Sequence, residues 1–228
     1  MKSITNFART CGWLVHKDLL RELRAPLVWP TMLLLGLILS LALEMQIELP
    51  RDQKQKVLGG LLWLVIFFAW TVVLDRLFAG ERDESCWQAL LLYPVTPGMI
   101  YLAKLVVNFL ALAAIEALLV PALMILADVP LLARAGPFLA ILVVANLGLA
   151  AVGTLVSSLT SGLTRQASLL VVLVLPLASP VVIGAGQATV ALLAGDPMSS
   201  FRWLKLLSVF AAVFVGLGML LFEFIIEE

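Results

Sequence analysis

The sequence predicts an all-α fold of the polytopic membrane kind, and three observations predict it. Of the 228 residues, 62% are apolar and 13% charged, with a mean hydropathy of +1.09, whereas a soluble domain is about half apolar and a quarter charged. The apolar residues gather in six long runs, at residues 25–45, 57–78, 98–127, 136–159, 167–194 and 203–226. Each meets the requirement of about 20 apolar residues for a helix crossing a hydrocarbon core about 30 Å thick. The runs also lack the short alternation of barrel strands, and lipid admits only spans that satisfy their own backbone.

The expected organisation is one transmembrane domain over 1–228. It comprises an amphipathic interfacial segment at 1–24, two spans at 25–78, a surface helix at 79–94 and four further spans at 98–226. The first run lacks a small-residue exit motif and follows a long polar and basic stretch, so it is expected to stay as an anchor. Lys2, Arg9, Lys17, Arg21 and Arg24 precede it, and this dense cluster favours cytosolic N- and C-termini. Within the first segment Ile4, Phe7, Cys11, Leu14, Val15 and Leu19 share one helical side, Arg9, Lys17, Arg21 and Arg24 another. Asp18 and Glu22 intrude on the apolar side.

Between the second and third spans Glu81, Glu84, Ser85 and Gln88 follow helical spacing, with Asp83, Trp87, Leu90 and Leu91 on a different face. A short helix across the membrane surface is expected, ended by Pro94 and Pro97, because proline lacks a backbone donor and disfavours helix before it. Proline also marks the spans themselves. Pro121 is expected to interrupt the third, and Pro176 and Pro180 followed by Gly184 and Gly186 form a broken-helix motif in the fifth. Such breaks survive in lipid only where protein or a wet cavity satisfies the freed backbone groups. A re-entrant segment and a kinked continuous span both satisfy this pattern.

Charged groups inside a span are functional candidates by default. Glu116 qualifies, lying about 18 Å along the third span from Lys104, so Lys104 can snorkel to the interface while Glu116 must face a helix or a cavity. Asn108 lies two turns before it. A structural bond between helices and a substrate role both remain open for the pair.

Several chemistries are excluded by their missing residues. Lys plus Arg and Asp plus Glu number 15 each, so no basic excess points to nucleic acid. Cys11 and Cys86 have no CxxC spacing and no companion histidines, which leaves no zinc or thiol-redox motif and no metal site. HExxH, GxSxG and paired in-membrane carboxylates are absent, so the chain is not expected to be an enzyme. With no GxxxxGK[ST], any ATP must be bound and hydrolysed by another polypeptide. The sole histidine, His16, precedes the first span, so the chain alone offers no two-histidine haem site. It is expected to bind no cofactor itself, with haem a ligand at the level of a complex.

Leu74-Asp75-Arg76-Leu77-Phe78, Asp83-Glu84, Leu90-Leu91-Leu92-Tyr93-Pro94 and Lys104 resemble the haem exporter B family (CcmB) between its second and third helices. Leu173-Val174-Leu175-Pro176-Leu177 through Pro180 to Gly184-Ala185-Gly186 is similar to that family's fifth helix, and Lys17-Asp18-Leu19-Leu20-Arg21-Glu22 extends the likeness over nearly the whole chain. The resemblance implies a six-helix permease of the type-2 ABC exporter kind in a bacterial inner membrane, serving c-type cytochrome maturation. It implies that the surface helix is the coupling helix, with Glu81, Arg82, Asp83, Glu84, Trp87, Leu90, Leu91 and Pro94 at the contact with a separate ATPase subunit, CcmA. It further implies association with the haem-handling subunit CcmC, the small subunit CcmD, the haem chaperone CcmE and a second copy of the chain. Ser85-Cys86 departs from the glycine and small hydroxyl residue usual in the family. Two other readings share these features: a type-2 exporter of lipid, glycan or drug, and a membrane assembly scaffold that transports nothing.

Overall fold

The computed structural model describes residues 12–13, 15–19, 30, 34–38, 41–42, 51–74, 97–127, 134–161 and 167–227. Among them stand five long helices and no strand: α1 (Arg51–Leu74), α2 (Pro97–Ala127), α3 (Ala135–Ser161), α4 (Ala167–Ala194) and α5 (Pro197–Glu227). The helices α2 to α5 are each long and apolar enough to cross a membrane, and α1 carries a shorter apolar stretch, Val57–Thr71. The chain is thus an all-helical polytopic protein. The first apolar run is helical at 34–38 and 41–42. The surface-helix residues Glu81, Arg82, Asp83, Glu84, Trp87, Leu90, Leu91 and Pro94 lie outside the described residues.

The helices share one apolar core, in which α3 is central and packs on all four others. Of its spanning window 67% is buried, against 17% for α5, which turns most of its surface outward. Leu149, Ala150, Ala151 and Val152 of α3 are all fully buried, and four consecutive helical residues point to nearly every side, so neighbours surround α3 at this level. Since lipid tails are as apolar as leucine, packing and interhelical hydrogen bonds supply the cohesion that hydrophobic burial supplies in water.

Of the two readings open for the fifth run the structure shows the continuous one, and the expected interruption at Pro121 is corrected. Both α2 through Pro121 and α4 through Pro176 and Pro180 are continuous helices, neither interrupted nor re-entrant. Pro180 has no N–H to offer the carbonyl one turn back, at Pro176. The Ser179 hydroxyl donates to that carbonyl at 2.8 Å, so the missing backbone bond is replaced locally. Gly184 and Gly186 serve packing. A Cβ at Gly186 would sit 3.2 Å from Gly60 Cα and 3.5 Å from Gly59 O, so α1 and α4 meet backbone to backbone. A Cβ at Gly184 would press on the Leu207 side chain of α5 at 3.1 Å.

The α4–α5 turn is specified by three consecutive residues. Gly195, at φ 80°, adopts the left-handed conformation that favours glycine. Its N–H bonds Leu192 O at 3.1 Å and that of Asp196 bonds Ala191 O at 2.9 Å, the paired bonds of a Schellman motif. Asp196 then caps α5, accepting from the Ser199 N–H at 3.1 Å, with Pro197 in the first helical position. Hydrogen bonds from the Ser199 side chain and backbone hold the Asp196 carboxyl below its ordinary range. A depressed folded-state value means that the cap contributes stability above the unfolded carboxyl's range and loses it as pH falls through the folded value. Arg134, one residue before α3, adds its guanidinium to the carbonyls of Leu192 and Leu193, a cation at a helix C-terminus.

Substituting Gly186→Val should force α1 and α4 apart and destabilise the bundle by about 1–3 kcal/mol, as overpacking does. Gly216→Val, where nothing lies within 4 Å of the added Cβ, should leave the melting temperature of the detergent-solubilised protein unchanged. Equal melting of the two variants would remove the close approach as the reason for glycine at 186.

Candidate functional site

The polar side chains buried in the bundle are few, and most link one helix to another. Trp63 and Trp70, two turns apart on α1, both face inward and are fully buried. The Trp63 indole N–H donates to Thr189 Oγ1 on α4 at 3.0 Å, and the Thr189 hydroxyl donates to Ala185 O at 2.8 Å. Trp70 donates to Asn108 Oδ1 on α2 at 2.8 Å. The Asn108 amide donates in turn to Ala150 O and Thr154 Oγ1 on α3, each at 3.3 Å. Asn108 thereby joins three helices with both ends of its amide engaged, which is a structural role. The Tyr101 hydroxyl lies 3.3 Å from Ala151 O and 3.4 Å from Phe214 O, placing α2 against α3 and α5.

Lys104 does not snorkel to a free surface. It is 5% exposed, and its ammonium lies 3.0 Å from Asp18 Oδ2 in the N-terminal segment. Asp18 is itself 8% exposed and also lies 3.3 Å from the exposed Lys17. The intrusion of Asp18 on the apolar side thus has a cause. Residues 15–19 are helical, Asp18 is buried beside half-buried Val15 and Leu19, and His16 and Lys17 face outward. Among the described residues of the segment, the side that carries Val15, Asp18 and Leu19 rests on the bundle, and Asp18 meets Lys104 there.

Glu116 faces a second helix and a cavity at once. Asn146 Nδ2 on α3 donates to Glu116 Oε2 at 2.6 Å. Glu116 is 4% exposed and Asn146 2%. Their remaining oxygens, Glu116 Oε1 and Asn146 Oδ1, have no hydrogen-bond partner among the described residues. Both residues line a cavity of about 440 Å³ between α2 and α3, otherwise walled by apolar side chains such as Phe109, Val120, Phe138 and Leu142. Glu116 and Asn108 are not brought together, since each bonds a different level of α3. Asn146, which completes the Glu116 pair, is legible as a lone amide inside the fourth apolar run. Among the described residues no group of three or more His, Cys, Asp or Glu could hold a metal ion.

Two comparisons bear on this arrangement. The family model described as CcmB protein matches residues 10–225. The chain belongs to the CcmB family. Heme exporter protein B of Pseudomonas aeruginosa is 30% identical to it over 165 residues, covering 71% of this chain and 73% of the relative. Residues 18, 104, 108, 116 and 146 of this CcmB-family chain all lie within the matched range.

Reversing either charge of the Asp18–Lys104 pair should cost about 3 kcal/mol, the usual penalty for breaking a buried ion pair. The double exchange, Asp18→Lys with Lys104→Asp, should recover most of it. Thermal unfolding of the three variants in detergent tests this, and an additive double variant would show that the two charges do not depend on each other.

Proposed function

We propose that this CcmB-family chain is the membrane-spanning permease subunit of an ABC transporter complex that serves c-type cytochrome maturation. The observation that carries the reading is the family match from residue 10 to residue 225; a relative named as a heme exporter supports it. In this reading six helices cross a bacterial inner membrane with both termini in the cytosol, the first run and α1 supplying two of them. A separate ATPase subunit, CcmA, binds the ATP, because this sequence contains no phosphate-binding loop. The segment at 79–94 acts as the coupling helix. CcmC, CcmD, CcmE and a second copy of the chain complete the assembly.

Within that scheme the chain transduces energy and does not itself ligate haem. Its sole histidine is exposed on the N-terminal segment, and histidine is a common protein ligand of haem iron. Nucleotide-driven closure of the ATPase pushes the coupling helix, and the bundle answers by rigid-body rocking of packed helices. The product of that work is release of haem-loaded chaperone on the outer side. Lys104 enters α2 shortly after the coupling segment and bonds Asp18, so a push there reaches both α2 and the N-terminal segment.

Membranes from cells lacking the gene should show no covalent c-type cytochromes on a haem-stained gel, and a plasmid copy should restore the bands. Unchanged bands in cells with no second maturation system would remove the haem assignment. Glu84→Lys should reduce co-purification of the ATPase at least severalfold if the carboxylate meets a basic surface; full recovery of the ATPase would reject that contact.

A further inference from the structure

We propose that the cavity between α2 and α3 is a binding site for an amphiphile with an apolar body and a primary ammonium head, admitted sideways from the bilayer and held by Glu116 and Asn146. The proposal is independent of the transport reading. Glu116 Oε1 and Asn146 Oδ1 are buried acceptors without a partner among the described residues, and both residues belong to the cavity lining. Their orientation is not arbitrary. With Glu116 ionised, reversing the Asn146 amide would set its oxygen against Glu116 Oε2, which now accepts from Nδ2 at 2.6 Å.

Glu116 and Asn146 line one space, and the unpaired acceptors just beneath that wall, once a side-chain rotation turns them outward, call for a ligand that donates more than once. A primary ammonium carries three donors and no acceptor, and its charge complements a carboxylate. A head whose only polar group is a carboxylate or phosphate would instead meet acceptors without compensation, which buried polar groups tolerate poorly. The rest of the lining is apolar and includes the rings of Phe109 and Phe138, suited to a hydrocarbon body or a cation near an aromatic face. The volume, about 440 Å³, lies within the range of small-molecule sites.

The route in is lateral. Ala117 and Pro121 on α2 and Leu139 and Val143 on α3 line the cavity and are exposed on the outside of the bundle, Leu139 to 60%. Glu116 lies about 16 Å along α2 from its Ala127 end, so the head group sits below the interface and the body reaches toward Met124 and Ala135. The amine can come from a membrane lipid or from a free lipophilic amine.

The test uses the full-length chain in phosphatidylcholine nanodiscs, with native mass spectrometry reading dodecylammonium, dodecyltrimethylammonium and dodecanoate. Dodecylammonium should bind saturably, one per chain. Dodecyltrimethylammonium, charged but without N–H donors, and dodecanoate should bind about tenfold more weakly or not at all. Glu116→Gln should weaken dodecylammonium by about tenfold or more. Ala117→Trp, at the exposed mouth, should abolish binding while leaving the melting temperature near wild type, which covers the case in which the Glu116 variant fails to fold. Competition by phosphatidylethanolamine in the nanodisc would assign the site to a lipid amine, and no competition to a free one; either supports the proposal. Equal binding of all three probes, or binding indifferent to both substitutions, would overturn it. So would no dodecylammonium binding together with photo-crosslinks from position 117 to a partner's helix, which would make the cavity a seat for protein.

Discussion

In lipid no water stands ready to satisfy a polar group, and this constraint decides which polar residues the bundle can hold and where. Each buried donor on α1 that seeks a partner finds it on another helix: Trp63 on α4, Trp70 on α2. The bonds are structural because their alternative is an unsatisfied group in hydrocarbon, although each contributes only about 1 kcal/mol net. Their positions matter more than their strength. Asn108 of α2 occupies the level where α1, α2 and α3 converge, and its amide has the acceptor for α1 and the donors for α3. A leucine there would fill space without choosing a register.

Against this background the Glu116–Asn146 pair is the exception. It has the same kind of interhelical bond, yet it leaves two acceptors over and a cavity beside them. The other buried amide, Asn108, has partners for both its oxygen and its nitrogen. A fold that satisfies one amide fully and the other by half has a reason for the difference at the second site, and the adjoining space supplies it.

Much of the helical layout was legible in the sequence because lipid sets the length of a span. The runs at 98–127, 136–159 and 167–194 coincide with α2, α3 and α4 to within two residues, and α5 begins six residues before its apolar run because Asp196 and Pro197 start it. The prolines of the fifth run left two readings open because periodicity sees a missing N–H and not the hydroxyl of Ser179 that replaces it at Pro180. The glycines were misread for a similar reason: a flexible backbone and a close helix contact use the same residue, and only the neighbour at 59–60 distinguishes them. Asp18 was visible as an anomaly on an apolar side, but its partner lies 86 positions away, beyond any helical period. Glu116 was found from its charge alone. Asn146 escaped because a single amide in an apolar run carries little weight until the helix opposite is known.

The two-residue connection at Gly195 and Asp196 has a mechanical side. It joins α4 and α5 at one end, where Arg134 also grips the α4 terminus from the start of α3. Three helices are therefore pinned together at that pole, and no comparably short link joins α3 to α4 at the other, where residues 162–166 intervene. Any tilt taken about that pole would have a long lever. Since α4 has 28 residues, it is about 42 Å long, and a tilt of about 5° about the pinned end carries the opposite end through about 4 Å. Small angular changes are thus nearly invisible beside Gly195 and largest at the pole where Lys104 and Asp18 meet.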